Sequence, residues 1–319
     1  MGHSKNRQPI ETIMEMAKQA FPEREFVECK EIDSGFFNAI YKITFSDDFQ
    51  SILKIETDDR SCLMKNEVEM MEAEVSALSL LKDKLTVKVP EVYYFDGSRK
   101  ICSGKYFFME FLEGQRYSDI KDTLPKETKE KIDYKIGKLV KEIAEIQNPV
   151  YKTLGGSETF ETLFDFTSFL LGNVVSDAES KKMDFFISKE ELFELLEKDR
   201  RCFDCNVTPS LVHYDLWEGN IFIQNDEITG IIDLERALFG DPLMEDRFRL
   251  QKYTLSFFDG YGQSQFNYKE TRRLLWYDII LYLSMMLEGS FRGYEDSSIY
   301  DYSSPLLQQA ITMLKIQPF

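Results

Sequence analysis

The sequence predicts an α+β chain in two unequal lobes: a small antiparallel sheet with one main helix over residues 1–112, then a larger, mostly helical lobe over residues 113–319. Three observations carry this. Between residues 26 and 112, outside a helical stretch at 61–84, apolar and polar residues fall in short strand-like runs broken by Gly, Asp and Ser. Beyond Gly114 the apolar residues recur every three or four positions, the period of helices lying on a core. Within that helical part, residues 211–224 and 230–233 revert to strands, and His213, Asp215, Asn220 and Asp233 fall at their ends and turns.

Taken in order, residues 11–20 place Ile13, Met16, Ala17 and Ala20 at helical spacing, and Phe21-Pro22 ends that run. Strands follow at 26–32, 39–45 and 50–56, with a loop at 33–38 that contains Ser34, Gly35 and Asn38. A strand, a Gly-containing turn and a second strand can lay backbone N–H groups over anionic oxygens. Lys54 lies in Ser51-Ile52-Leu53-Lys54-Ile55. With apolar neighbours on both sides its ammonium is costly to bury unless oxygens meet it. Residues 61–84 read as one long acidic helix, in which Glu67 and Glu74 both offer a carboxylate to that lysine, Glu74 being preferred. Residues 93–96 and 106–111 read as paired strands, and Glu110, Leu112 and Gly114 close the first lobe.

The helices expected in the second lobe span residues 126–147, 160–175, 188–202, 270–288 and 304–314, with residues 290–302 between the last two read as an aromatic, acidic loop. Residues 279–287 form the longest apolar run. It is half the ~18 residues a membrane span needs and reads as a buried helix. The N-terminus has charge but no apolar core, so no signal peptide is read there and a cytoplasmic protein is expected. Five scattered cysteines suit reduced thiols. Cys202-x-x-Cys205 lacks two further zinc ligands, since the only histidines are His3 and His213. The net charge of −17 argues against nucleic acid or anionic membrane as partner and suits a cationic small molecule. A monomer or weak dimer is expected.

The chemistry concentrates in Val212-His213-Tyr214-Asp215-Leu216-Trp217-Glu218-Gly219-Asn220-Ile221-Phe222 and Ile231-Ile232-Asp233-Leu234-Glu235. Oxygen-bearing side chains on neighbouring strand ends repel one another unless a cation sits among them, and an oxygen-only set suits Mg²⁺. The order H-x-D-x-x-x-x-N with a strand-borne Asp soon after is that of a phosphoryl-transfer loop. With Gly35-x-x-Asn38, Lys54, Glu74 and Gly240-Asp241-Pro242, the chain resembles the aminoglycoside phosphotransferase and choline kinase family, the small-molecule branch of the bilobal protein-kinase-like fold.

That resemblance implies ATP or GTP between the lobes, with Lys54 on its phosphates and held by Glu74. The loop of Ser34, Gly35 and Asn38 covers those phosphates, and Glu110 and Leu112 offer main-chain contacts to the base. It assigns Mg²⁺ to Asn220 and Asp233, and proton abstraction from an acceptor hydroxyl to Asp215. His213 braces the loop, and Asp241 helps to hold it. A carboxylate is expected three residues after Asp241, but Glu245-Asp246 stands one position late. Position alone makes Trp217, Glu218, Glu235, Trp276 and Asp278 candidates for the acceptor pocket. An aminoglycoside is the first acceptor expected, then choline-like amines, sugars and other metabolites. A nucleotide-binding chain without catalysis is the alternative from another class. A protein kinase is disfavoured, because no D-F-G or A-P-E segment lies between Asp233 and Gly240.

Overall fold

The computed structural model describes residues 5–32, 38–252 and 254–316. Its N-terminal lobe is an antiparallel sheet of β1 (Phe26–Glu31), β2 (Ala39–Phe45), β3 (Gln50–Ile55), β4 (Val92–Asp96) and β5 (Tyr106–Glu110), in the order β1-β2-β3-β5-β4. One face is covered by α1 (Ile10–Ala20), which buries Ile13, Met16 and Ala17 against Tyr41, Ile43, Leu53, Ile55 and Phe108. Phe21, at the end of α1, packs edge-on against Phe45 and Phe108, with ring centroids 5.1 and 5.3 Å away. The opposite face carries α2 (Met70–Leu81), whose Met71, Ala77, Leu78 and Leu81 pack with Ile52, Phe107 and Met109. Because side chains alternate along a strand, Leu53 and Ile55 commit β3 to α1 and turn Lys54 toward α2.

The C-terminal lobe begins with β6 (Gln115–Arg116), α3 (Tyr117–Ile120), α4 (Lys126–Ala144) and β7 (Lys152–Thr153). Three helices follow, α5 (Leu163–Ser180), α6 (Lys189–Lys198) and α7 (Arg200–Phe203), and then four short strands, β8 (Ser210–Val212), β9 (Ile221–Gln224), β10 (Glu227–Ile231) and β11 (Leu238–Gly240). Helices α8 (Leu255–Tyr261), α9 (Tyr268–Arg292) and α10 (Ser298–Ile316) close the lobe. The strands make two small sheets, β10-β9-β6 and β7-β11-β8, so the loop from β8 to β9 bridges them. Among the described residues α9 alone is long and apolar enough to cross a membrane. Here it is a core helix, burying Trp276, Ile279, Ile280, Leu283 and Leu287.

Two elements depart from the sequence reading. The helix expected over residues 61–84 is confined to Met70–Leu81, with Glu69 in the left-handed region at φ 47° before it. Tertiary bonds hold residues 65–67 away from helical geometry. The Lys65 N–H donates to Asp177 at 2.8 Å, and Asn66 Nδ2 donates to the Leu170 carbonyl at 3.1 Å. The loop expected over residues 290–302 is mostly helix. Arg292 is buried at the end of α9, Gly293 terminates that helix at φ 65°, and α10 starts at Ser298 with Pro305 inside it.

Helices α4 and α8 approach so closely at Gly137 that an added Cβ would lie 2.1 Å from the Phe257 carbonyl oxygen. The atoms this Cβ would meet are all backbone, so relief requires the packed helices to move apart, and Gly137→Ala is expected to destabilise the fold by roughly 2–3 kcal/mol through overpacking. Thermal denaturation should show a fall of about 4–10 °C. An unchanged melting temperature would mean the two helices are not held at this separation.

Candidate active site

Lys54 is nearly inaccessible, and three carboxylates surround its Nζ: Glu74 at 2.6 Å, Asp233 at 2.7 Å and Glu235 at 3.0 Å. The partner on α2 is therefore Glu74. Glu67 lies elsewhere, bound to Arg236 and Arg292. Burial opposes the charge on Lys54, yet the fields of Asp233, Glu235 and Glu74 outweigh it and hold the ammonium above its usual range. The Glu74 carboxyl is pushed up to about 7 by burial, against the pull of Lys54. For Asp233 the balance reverses: burial raises it, but Lys54 more than offsets this and the carboxyl is lowered.

His213 leaves β8 fully buried, with Nε2 3.0 Å from the Ile232 carbonyl and Nδ1 3.3 Å from the Asp215 N–H. A carbonyl can only accept and an amide N–H can only donate, so the proton sits on Nε2 and the ring ties the loop to the strand leading to Asp233. Asn220 donates from Nδ2 to the Asp215 carbonyl at 2.8 Å and to its carboxylate at 3.3 Å. The Ile232 N–H donates to the Asn220 carbonyl, which sets Asn220 beside the segment of Asp233. Tyr214 and Asp233 hold φ of 69° and 68°, a left-handed conformation that costs bulky residues of order 1–3 kcal/mol each. Burial raises the Asp215 carboxyl well above the ordinary range, with Arg236 opposing and Asp233, Asp246 and Glu288 adding to the rise.

Among the described residues Asp241 makes no hydrogen bond to the loop. It accepts from Arg273 Nε at 2.7 Å and the Tyr277 hydroxyl at 2.9 Å, anchoring α9, and caps the Leu243 N–H. Holding the loop falls to Glu245, which sequence reasoning noted only as displaced. Its two oxygens accept the N–H groups of His213, Tyr214, Leu216 and Asp246 at 2.9–3.2 Å. The displacement by one residue is absorbed by the short helical turns after Pro242, which bring Glu245 under the loop.

The five acceptor-pocket candidates are redistributed. Glu235 belongs with Lys54 and also accepts from Asn38 Nδ2 at 2.7 Å. Glu218 is enclosed by Lys121 at 2.7 Å and Arg247 at 3.0 Å; burial opposes its charge, but these cations lower it to about 2. Asp278 is paired with Arg249 at 2.7 Å. Trp276 is wholly inside the C-terminal core, its Nε1 donating to Asp199 at 2.8 Å. Trp217 lays its ring over Gly219, where a Cβ would sit 2.2 Å from it. Two of the three acids among these candidates thus met arginines, and a wedge and a core residue account for both tryptophans.

Glu110 and Leu112 lie where β5 runs out toward β6. The Glu110 N–H is bonded to the Glu91 carbonyl at 2.8 Å and its side chain to Lys88, while Leu112 is buried. Ser34 and Gly35 fall outside the described residues. Ligand atoms of Glu74, Asp233 and Glu235 come within 4.8 Å of one another, an all-oxygen set. Three carboxylates share one ammonium there, so the donors fit a hard cation. Beside them Arg236, absent from the sequence reading, bonds Glu67 of the N-terminal lobe at 3.0 Å and Glu288 of α9 at 2.7 Å. Nothing local in Leu234-Glu235-Arg236 signals partners so far away in the chain.

A family model described as a phosphotransferase enzyme family matches residues 28–246. No curated protein matches the chain in sequence. Among solved structures, the streptomycin–ATP ternary complex of APH(2″)-IIa superposes with a TM-score of 0.60 at 17% identity, covering 98% of each chain. The GDP and kanamycin complex of APH(2″)-IIIa gives 0.63 at 17%, covering 96% of this chain and 99% of the other. Aminoglycoside phosphotransferase APH(4)-Ia gives 0.64 at 15%, covering 95% and 99%.

Proposed function

Because the chain belongs to the phosphotransferase enzyme family, we propose that it moves the terminal phosphate of ATP or GTP onto a hydroxyl of a small molecule. The carrying observation is that Lys54, held by Glu74 in the N-terminal lobe, meets Asp233 and Glu235 of the C-terminal lobe, in which Asn220 lies against Asp215. Lys54 binds donor phosphate oxygens, and the main chain at Glu110 and Leu112 meets the base. Asp233, Glu235 and the Asn220 amide oxygen would hold Mg²⁺, which when bound neutralises phosphate charge. Asp215 orients the acceptor hydroxyl and takes its proton, its burial-raised basicity matched to that task. Positioning and charge neutralisation supply the remainder of the rate.

The acceptor proposed is a cationic compound of the aminoglycoside kind, ahead of choline-like amines and sugars. Support comes from the net charge of −17. The compounds named with the structural neighbours, streptomycin and kanamycin, agree in charge. The deciding experiment measures nucleotide consumption with Mg²⁺ across aminoglycosides, macrolides, choline, sugars and amino-alcohols. Stimulation by the cationic members alone is expected; no stimulation by any compound would return the chain to the non-catalytic alternative.

Glu74→Gln removes the one carboxylate that draws Lys54 toward α2. The ammonium then rests on Asp233 and Glu235, where it competes with the cation. Loss of a charge-assisted bond worth about 1.5–3 kcal/mol should weaken nucleotide binding or turnover by roughly 10- to 100-fold. Steady-state kinetics with varied nucleotide reads this directly, and wild-type kinetics would exclude the Lys54–Glu74 pair from the mechanism.

A further inference from the structure

Resting on the phosphotransferase reading, we infer that Arg236 is a further catalytic residue, presenting the open edge of its guanidinium to the phosphoryl group as it passes from donor to acceptor. Both acids that anchor this side chain, Glu67 and Glu288, take the same nitrogen, Nη2. Among the described residues no partner occupies Nη1 or Nε, and neither atom is enclosed. Arg236 instead lines the cavity between the lobes together with Tyr214 and Glu235. The side chain is thus gripped at one corner and offers its remaining N–H groups to the cleft.

The grip is itself built with care for charge. Glu67 is buried, gives one oxygen to Arg236 and Arg292, and caps the Met64 N–H with the other at 3.1 Å. Two acids and two arginines make a neutral set, so Arg236 has no need of Asp215 as a counter-ion. Its field nevertheless reaches both Asp233 and Asp215. A phosphoryl group in transfer must pass between these two carboxylates, and Lys54 is committed to the donor side. A planar fork of N–H donors suits phosphate oxygens. Glu67 comes from the N-terminal lobe, so the approach of the lobes sets where that fork lies.

In the step itself the acceptor oxygen–phosphorus bond forms as the bond to the bridging oxygen breaks. The electron pair leaves with the nucleoside diphosphate, the hydroxyl proton goes to Asp215, and Arg236 contributes only charge and hydrogen bonds. An arginine in this role is worth 10³–10⁵ in turnover in nucleotide-hydrolysing enzymes.

The test uses the full chain with Mg²⁺ and nucleotide, with water and with the best alcohol of the panel as acceptor. Arg236→Lys keeps the anchored charge but loses the fork, and should lower kcat by about 10²-fold with nucleotide KM and melting temperature unchanged. Arg236→Ala should lose about 10³-fold and regain part of it with sub-denaturing guanidinium chloride. Glu67→Gln, which loosens the grip from the other lobe, should lower kcat about tenfold. Wild-type kcat in Arg236→Lys, or an Arg236→Ala loss that guanidinium does not relieve, would overturn the arginine's role while leaving the phosphotransferase reading in place. A wild-type chain that transfers phosphate to neither water nor any alcohol would overturn both.

Discussion

Asp215→Asn is expected to lower turnover by about 10³-fold while nucleotide affinity stays within about threefold of wild type. The amide has the shape of the carboxylate and can still accept from Asn220 Nδ2, which is bonded to the Asp215 backbone carbonyl as well. The loop should therefore keep its conformation, since His213 and Glu245 hold it through backbone groups the substitution does not touch. What disappears is a proton acceptor. Burial lifts Asp215 toward the basicity that abstraction from an alcohol requires, and an amide has none at any working pH. Removing a negative charge near the donor phosphates gives no reason for weaker nucleotide binding. Displacement of a fluorescent nucleotide analogue and kcat at saturating acceptor separate the two effects. A variant that turned over normally would falsify the assignment of Asp215 as base.

How much of this was legible in the chain depends on how far apart the interacting residues lie. The alternation in residues 50–56 already turns Lys54 away from Leu53 and Ile55, so its meeting with a carboxylate on the next helix follows from local pattern. The strands around Asp215 and Asp233 could likewise be read, because turns and apolar runs are short-range signals. Ion pairing could not. Whether Glu218, Asp278 or Glu67 faces solvent, substrate or an arginine is settled by Arg247, Arg249, Arg236 and Arg292, which other elements deliver. Trp276 is the clearest instance. It lies near the apolar run of α9 and its position suggested a pocket, but its indole N–H finds Asp199 across the core. Glu67 also shortened α2, since a residue tied to the other lobe cannot keep helical register with its neighbours.

Glu245→Ala should cause the largest loss of stability near the site, on the order of 4 kcal/mol, because several buried N–H donors lose their acceptor together. Four N–H groups converge on this one carboxylate, three of them from the loop that presents Asp215. The same geometry makes an unusual demand on conservative replacements. Glu245→Gln should be nearly as damaging as Glu245→Ala, since every neighbour is a donor and the new NH₂ would face N–H groups with nothing to accept it. Glu245→Asp keeps the charge but is one methylene short of reaching both ends of the loop. Melting temperature should fall by roughly 8 °C or more for Ala and Gln. Turnover should fall in all three, even below the new transition, because Tyr214 at φ 69° has no reason to hold its strained conformation once its N–H is released. Thermal melts paired with kcat at low temperature test this, and a Gln variant as stable and active as wild type would show that the loop is held by something other than this carboxylate.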